Sequence, residues 1–257
     1  MVYMKKFAIA TARRAGLYLR DNFHKSHTII FKGTINIVTE ADREAEEMIL
    51  HAIRREFPDH DILTEETPGT DRGRSIRWII DPLDGTTNYA HGFPAFCVSI
   101  ALEVDGLVNL GVVYNPMLEE LFVAERGGGA LLNGHPIHVS PINDLSRSLL
   151  ATGFPYDIRE SEQNNIRYFN AMALRAQAIR RAGSAALDMA YVAAGRFDGF
   201  WELKLMPWDT AAGLLLIEEA GGVVSDLSGN PYHLNTPRIL ASNGLIHEQM
   251  MEVLKNS

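Results

Sequence analysis

The stretch "WIIDPLDGTTNYAHGFP", residues Trp78–Pro94, combines an apolar run with a dense polar turn. The apolar run leads directly into two aspartates, Asp81 and Asp84. The segment "IRWIID" predicts a buried strand that ends at Asp81. Pro82 and, after Leu83, the pair Asp84-Gly85 then predict a turn. The chain is therefore expected to leave a buried strand and at once present two carboxylates, three positions apart.

This turn places oxygen ligands beside backbone amides. Pro82 fixes its backbone angle, so the carbonyl of Leu83 can point outward. The amides of Gly85, Thr86 and Thr87 can open a helical turn and receive an anion. Carboxylate and carbonyl oxygens are ligands that Mg²⁺ prefers. A bare Asp-Gly pair is most simply a capped turn, but the strand before it and the hydroxyls after it make a metal and phosphate site the more specific hypothesis.

Phosphatases that form an aspartyl-phosphate intermediate are the nearest alternative, because they also place two aspartates before Gly-Thr. Those enzymes separate the aspartates by one residue, whereas two residues separate Asp81 from Asp84. The shift changes which carboxylate faces the substrate, so a nucleophile and its acid–base partner would not be placed correctly. We therefore expect no covalent phosphoenzyme.

The rest of the chain predicts helices packed on sheets. "TEADREAEEMILHAIRREF" predicts an amphipathic helix capped by Thr39, and Asp105-Gly106 predicts a β-hairpin. "ESEQNNIRYFNAMALRAQA", residues 160–178, predicts one helix. We expect a layered α+β and α/β fold. Residues 1–145 would form an N-terminal α+β portion with the strand–turn motif, and residues 146–257 a C-terminal α/β portion, joined as one compact catalytic unit.

Charge and cysteine content limit the function classes. The 257 residues carry a formal net charge of −8, which argues against non-specific nucleic-acid binding because that requires a basic face. An acidic protein that acts on phosphates needs cations to offset the repulsion, so metal ions are expected. Cys97 is the only cysteine, which rules out an internal disulfide and indicates a reducing compartment. Its side chain is interpreted as a small core hydrophobe.

Two features predict a cytoplasmic protein. No run of about 18 apolar residues is present, so no membrane span is expected. The N-terminal segment contains Arg13 and Arg14 among its apolar residues, and it is interpreted as an amphipathic helix and not as a signal peptide.

Two long segments make the chain similar to a known family. "WIIDPLDGTTNYAHGFP" resembles the first signature of the inositol monophosphatase family, and "WDTAAGLLLIEEAGGVVSD", residues 208–226, resembles its second. The likeness extends over nearly the whole chain, through "ILTEET", "GALLNG" and "GSAALD", and points to the bacterial branch. It implies an αβαβα sandwich, magnesium-dependent hydrolysis of phosphate monoesters, inhibition by lithium, and a homodimer.

The resemblance also implies roles for individual residues. Glu65, Asp81 and the Leu83 carbonyl would hold the first Mg²⁺. Asp81, Asp84 and Asp209 would hold the second, and Glu65 would help to hold a weaker third. Thr86 and Asp42, together with Glu65, would orient or deprotonate the attacking water. The substrate would be contacted by Gly85, Thr86, Gly183, Ser184, Ala185, Glu202 and Asp209.

Each acid has an ordinary alternative when taken alone. Asp209 precedes an apolar helix and could simply cap its N-terminus. Asp42 lies in a first helical turn, where the helix dipole favours any carboxylate. Glu65 follows the apolar run "ILT" and could be a solvated residue at the end of a strand. Four acids at the edges of separate apolar elements converge only in a crevice, however, and unpaired they would repel. The resemblance assigns Lys32 to a mobile loop near the third metal, where the family often has an acid at the position of Asn36.

The sequence therefore predicts hydrolysis by direct attack of a metal-activated water. The leading substrate is myo-inositol 1-phosphate. Fructose 1,6-bisphosphate, histidinol phosphate and other small phosphate esters remain alternatives, as does a mainly binding or regulatory role in transcription or ribosome assembly. The intact set of acids favours catalysis, and the acidic balance gives no support for contact with nucleic acid.

Overall fold

The computed structural model describes residues 1–25, 29–31 and 37–257. Its α-helices are α1 (Val2–Asn22), α2 (Glu40–Glu56), α3 (Thr86–Ala90), α4 (Ile166–Ala173), α5 (Ala185–Ala193), α6 (Pro207–Glu219) and α7 (His247–Lys255). Its strands are β1 (Ile29–Phe31), β2 (Ile37–Thr39), β3 (Asp61–Thr64), β4 (Ile76–Asp84), β5 (Cys97–Val104), β6 (Leu107–Asn115), β7 (Glu120–Glu125), β8 (Ala130–Leu132), β9 (His135–Ile137), β10 (Leu149–Thr152), β11 (Ala178–Arg180), β12 (Gly199–Leu203), β13 (Val223–Ser225) and β14 (Arg238–Ser242).

The strands form two large sheets and a short β1–β2 pair. The first sheet has the order β3-β4-β5-β6-β7-β8-β9, and the second has the order β11-β10-β12-β14-β13. In the first sheet β3 and β4 are parallel and the other neighbours are antiparallel. In the second sheet β10 is parallel to β11 and β12, whereas β14 is antiparallel to β12 and β13.

The helices lie on both faces of each sheet. Helices α1 and α2 pack on the outer face of the first sheet, α5 and α6 lie between the sheets, and α4 and α7 cover the outer face of the second. Side chains that alternate along a strand enter different layers, since Phe200 joins the core between the sheets and its neighbour Trp201 joins the outer core. These five layers confirm the predicted αβαβα sandwich.

Strand β4 is longer than the sequence predicts. It continues past Asp81 as far as Asp84, because β5 pairs with both positions: Ser99 lies opposite Asp81 and Cys97 lies opposite Asp84. The register shifts between the two aspartates. A bulge of this kind accommodates Pro82, which has no N–H to donate to a neighbouring strand. The predicted turn is thus a bulge inside a strand.

The helix predicted over residues 160–178 is also wrong in extent, since only α4 is helical and the segment ends in the edge strand β11. Asn165 has a left-handed backbone (φ 70°) immediately before α4. Its buried side chain donates to Thr152 Oγ1 at 2.8 Å and accepts from Trp201 Nε1 at 2.7 Å. These tertiary bonds fix the chain at Asn165, and the helix begins after it.

Two other local predictions are confirmed. Thr39 caps α2, and its side chain and backbone both bond Asp42. Asp105 and Gly106 both have positive φ, as a two-residue hairpin turn between β5 and β6 requires. None of the helices in the described residues is both long and apolar enough to cross a membrane.

Candidate active site

A cavity of about 490 Å³ opens where the two sheets and the helices between them meet. One side is formed by the ends of β3 and β4 and by the first turns of α3 and α6. The other side is formed by the first turn of α5, the end of β12 and the loops that follow β10 and β12. The structure places most of the predicted site residues in this lining: Glu65, Asp81, Leu83, Asp84, Gly85, Thr86, Gly183, Ser184, Ala185, Glu202 and Asp209.

The parallel pairing of β3 and β4 brings two acids side by side. Thr64 lies opposite Ile80 in the register, so the residues that follow them, Glu65 and Asp81, lie next to each other where β3 ends. The turn after β3 is held by the buried Glu46 of α2, whose Oε1 accepts from Thr64 Oγ1 at 2.6 Å and from the amide of Glu66 at 3.0 Å. Glu46 therefore positions Glu65 at the cavity.

A second group links the bulge of β4 to helix α2. The amide of Leu83 donates to Asp81 Oδ1 at 3.0 Å. The hydroxyl of Thr86 lies 2.8 Å from Asp42 Oδ1 and 3.2 Å from the carbonyl oxygen of Leu83. Asp42 does not line the cavity itself, since its other oxygen accepts from the amide and hydroxyl of Thr39. Asp42 is thus a fixed acceptor behind Thr86.

Asp84 is held by the beginning of helix α5. Its Oδ2 accepts from Ser184 Oγ at 2.7 Å and from the amide of Ala186 at 2.7 Å. The thiol of Cys97 lies 3.9 Å from the same oxygen and 3.6 Å from Ser184 Oγ. Cys97 is buried in the core between the sheets, as predicted, and it borders the polar site as well.

Asp209 lies in the first turn of α6, and its Oδ2 accepts from the amide of Met206 at 2.7 Å. Three carboxylates of the site, Asp42, Asp84 and Asp209, are therefore each bonded at the N-terminus of a helix. Because a helix N-terminus carries partial positive charge, these three contacts favour carboxylates at this place. They offset only part of the repulsion among the acids.

Burial and mutual repulsion raise the pKa values of three acids at the cavity. Burial raises the pKa of Asp81, and the charges of Glu65 and Asp84 raise it further. Burial likewise raises the pKa of Asp209, with Asp84 adding to the effect. Burial raises the pKa of Asp84 to about 6, although bonds from Ser184 and Ala186 oppose the shift. In the described part of the chain, the charged forms of Asp81, Asp84 and Asp209 are therefore disfavoured.

The donor set fits a hard cation. The acids and the carbonyl of Leu83 supply oxygen atoms alone, which is the ligand type of Mg²⁺. The raised pKa values of Asp81 and Asp209 show that positive charge at this place would be stabilised. Among the described residues, no three acid, imidazole or thiol side chains are already arranged as a ligand cluster. The fit therefore rests on the chemistry of the donors.

The opposite wall contains Glu202, which is 8% exposed. A Cβ atom on Gly153 would lie 2.1 Å from Glu202 Oε1, so the carboxyl group lies directly against the backbone of the loop after β10. Burial raises the pKa of Glu202 to about 8, the charge of Asp84 contributes, and Arg181 opposes the shift. Lys32 and Asn36 lie outside the described residues.

Several residues at the site escaped sequence reasoning. The helical pattern does not single out Glu46. The pair Arg180-Arg181 is most simply solvated, although it can also contact a phosphate or a carboxylate. Asp188 and Lys204 also line the cavity. The signal available for Asp188 was a lone acid in the small-residue run "SAALDMAYVAAG", which does not tell which side of the helix faces a cavity.

Comparisons with known proteins identify the family of this chain. A profile of the inositol monophosphatase family matches residues 1–257. An inositol-1-monophosphatase of Synechocystis is 49% identical over 220 residues, covering 85% of this chain and 77% of that protein. The Nus factor SuhB of Escherichia coli K12 is 43% identical over 258 residues, covering 98% and 96% of the two chains. The solved structure of inositol monophosphatase from Anabaena (Nostoc) superposes with a TM-score of 0.90 at 44% identity, covering 99% and 96%. With its fold and its full length matched in this way, the chain belongs to the inositol monophosphatase family.

Proposed function

We propose that this protein is a magnesium-dependent phosphatase that converts myo-inositol 1-phosphate and water to myo-inositol and phosphate. Membership of the inositol monophosphatase family supports a phosphatase activity. The observation that carries the proposal is the convergence of Glu65, Asp81, Asp84 and Asp209 on one cavity, where burial raises the pKa of Asp81, Asp84 and Asp209 and so favours bound cations.

The metal would be held by Glu65, Asp81 and the Leu83 carbonyl at one position and by Asp81, Asp84 and Asp209 at a second, with Glu65 assisting a third. When bound, Mg²⁺ lowers the pKa of a coordinated water and neutralises the charge of the phosphoryl group.

The residues behind the bulge would orient the attacking water. Thr86 Oγ1 lies 2.8 Å from Asp42 Oδ1, and Asp42 is itself fixed by Thr39. The hydroxyl can therefore accept a hydrogen bond from water while it donates to Asp42. The pair of Thr86 and Asp42, together with Glu65, can receive the proton of the water. Gly85 and Thr86, at the start of α3, would contact the phosphate.

The alcohol would lie against the opposite wall, where Gly183, Ser184, Ala185 and Glu202 line the cavity. Asp209 would contact both the metal and the substrate. A buried carboxyl group such as Glu202 stabilises a ligand that supplies hydroxyl groups. This favours a polyol such as inositol. Fructose 1,6-bisphosphate and histidinol phosphate carry hydroxyl groups too and remain the alternative esters.

We extend the proposal to a homodimer in the cytoplasm that lithium inhibits, on the strength of the family resemblance. We also propose that residues 1–145 and 146–257 act as one catalytic unit, since both portions contribute to the lining of the cavity.

The first experiment measures phosphate release from a panel of monoesters with and without Mg²⁺, and then with added Li⁺. We expect Mg²⁺-dependent release from myo-inositol 1-phosphate that Li⁺ suppresses. A preference for another ester would support the phosphatase activity but assign it a different substrate. No release from any ester would overturn the proposed activity.

The substitution Asp84→Asn tests the metal site. We expect turnover at saturating Mg²⁺ to fall at least a hundredfold, on the order of 3 kcal/mol or more of transition-state stabilisation. The free energy of unfolding at pH 7 should not fall, because the substitution removes one of several crowded charges and amide oxygen still accepts from Ser184. The exposed Asp59→Asn is the matched control. Near-normal activity of Asp84→Asn would contradict the assignment.

A second candidate function comes from the relatives named Nus factor SuhB, which match almost the whole chain. This chain would then also act as a Nus factor, through a partner protein or RNA. Catalytically inactive Asp84→Asn separates the two roles: a pull-down that retains a specific partner while turnover is lost supports a binding role, and a pull-down without one opposes it.

A further inference from the structure

One buried acid at the cavity has no place in the proposed reaction. Asp188 lies in the first turn of α5, is 1% exposed and lines the cavity. Its Oδ1 accepts no hydrogen bond from the described part of the chain. A buried carboxyl oxygen without a donor is destabilising, because the group has lost its water and gained nothing in exchange.

Other buried acids of the molecule do have donors. Asp61, which is 2% exposed, accepts from the amides of Arg72 and Arg74 at 2.9 and 2.8 Å. Glu46 accepts from the hydroxyl of Thr64 and from backbone amides. The missing donor at Asp188 is therefore a property of the cavity wall and not of buried acids in this fold.

Asp188 shares this wall with Glu202. Both line the cavity, and each carboxyl group is close enough for its charge to act on its neighbours: Glu202 raises the pKa of Asp188, after the larger effect of burial, and Arg181 lowers it. The guanidinium of Arg181 lies beside Gly183, where an added Cβ would stand 3.0 Å from Nη1. Two carboxyl groups and one cation thus face the same part of the cavity.

A ligand with hydroxyl groups on adjacent carbons matches this wall. Each hydroxyl can donate to a carboxylate or accept from a carboxylic acid, so it satisfies the group in either protonation state. An unsubstituted aryl or alkyl group would leave both carboxyl groups without a partner, and sites that bury polar groups reject ligands that fail to pair them.

We propose that Asp188 is a specificity-determining residue, whose carboxyl group hydrogen-bonds a hydroxyl of the alcohol next to the one bound by Glu202. The site would thereby select polyols with neighbouring hydroxyl groups over other alcohols. This inference rests on the proposed phosphatase function. Asp188 of α5 would thus contact the alcohol beside the contact proposed for Glu202 of β12.

The test compares two esters and three variants. The esters are myo-inositol 1-phosphate and an aryl phosphate whose alcohol portion has no free hydroxyl. We expect Asp188→Ala to lower kcat/KM for the inositol ester about tenfold relative to the aryl ester, the fold-change of one hydrogen bond, mainly through KM. Asp188→Asn should recover most of the loss, since the amide can donate and accept. Asp61→Asn, at a buried acid that does not line the cavity, should leave the ratio of kcat/KM for the two esters as in the parent protein.

A structural role for Asp188 would lower kcat/KM for both esters by the same factor. An unaltered ratio of the two kcat/KM values in Asp188→Ala therefore overturns the proposal. Calorimetric binding of free myo-inositol gives a second readout that needs no turnover. If the parent protein hydrolyses neither ester, the proposed function fails. Weaker inositol binding by Asp188→Ala would then still support the contact, and equal or absent binding in both proteins would overturn it.

Discussion

Glu202 links the cavity wall to the stability of the protein. The pKa of its carboxyl group is about 8 in the folded protein and 4.5 in an unperturbed chain. Because the folded value is the higher one, the group contributes stability that is fully present below pH 4.5 and is lost as the pH rises to about 8. The buried Asp81 and Asp209 shift in the same direction, so the whole site becomes less favourable to the fold as its acids ionise.

The substitution Glu202→Gln is expected to reduce this pH dependence. Without divalent cations, the free energy of unfolding of the parent protein should fall between pH 5 and pH 8. Glu202 accounts for at most on the order of 4 kcal/mol of this fall in the free energy of unfolding, since each unit of pKa shift corresponds to about 1.4 kcal/mol. Denaturant titrations at three pH values give the slope. Glu162→Gln, at an exposed position, is the control and should keep the slope of the parent. An equally steep slope in Glu202→Gln would contradict the shift.

At the scale of single residues, sequence reasoning was most successful where the site is contiguous. Asp81, Asp84, Gly85 and Thr86 belong to one short motif, and all four line the cavity. Asp188 ends the segment "GSAALD", but its place at the cavity depends on which side of α5 faces inward, and tertiary packing decides that direction.

At the scale of elements, the loop after β12 holds a lysine in an unusual conformation. Lys204 has φ 60°, in the left-handed region that favours glycine. Its amide donates to the carbonyl of Pro237 at 2.6 Å, which fixes the turn. Its ammonium group bonds Asp157 Oδ2 at 2.5 Å and Ser161 Oγ at 2.9 Å, and so connects this loop to the loop after β10. The ion pair is partly exposed and compensates little of the backbone strain.

Comparison of Lys204→Gly with Lys204→Ala separates the two effects. Both lose the ion pair, worth about 0–1 kcal/mol at a partly exposed position. Only glycine removes the left-handed strain, worth roughly 1 kcal/mol. We therefore expect Lys204→Gly to be about 1 kcal/mol more stable than Lys204→Ala in thermal or denaturant unfolding. Equal stability of the two variants would mean that the turn relaxes when the lysine is removed.

Element boundaries were predictable where local chemistry sets them. The cap at Thr39 and the hairpin at Asp105-Gly106 depend on residues within a few positions. The bulge in β4 and the late start of α4 depend on partners far along the chain, Cys97 and Ser99 in one case and Trp201 in the other. No pattern within a short window contains those partners.

At the scale of the whole molecule, the layer of α5 and α6 belongs to both sheets. A Cβ on Gly213 of α6 would lie 2.6 Å from Met189 Cβ of α5, so the two helices are in close contact. A Cβ on Gly111 of β6 would lie 2.7 Å from the carbonyl oxygen of Ala212, so α6 also lies directly on the first sheet. Helix α5 packs on strands β10, β12 and β14 of the second sheet. Neither sheet retains its inner cover without this shared layer.

We therefore expect a single cooperative unfolding transition for the two chain portions. Tryptophan fluorescence reports on Trp78 in the first sheet and Trp201 in the second, so single-tryptophan variants can follow each sheet separately. Coincident denaturation curves are the expected result. Two transitions with different midpoints would show that the sheets unfold as independent domains.

The layered class was predictable from the alternation of patterns along the chain and from the family resemblance. The strand order β11-β10-β12-β14-β13 was not, because each neighbour is chosen by the packing of helices on both faces. The cavity follows from that order, since it lies where the loops of the second sheet meet the strand ends of the first.

The two sides of the cavity differ in how freely their sequences can change. The acids lie at the bulge of β4, after β3 and in the first turn of α6, where packing and backbone bonds constrain them. Much of the facing wall consists of the loop segments 153–157 and 204–206. With the proposed function, gene duplication followed by substitutions in these loops would give paralogues that accept different alcohols, while purifying selection keeps the acids intact.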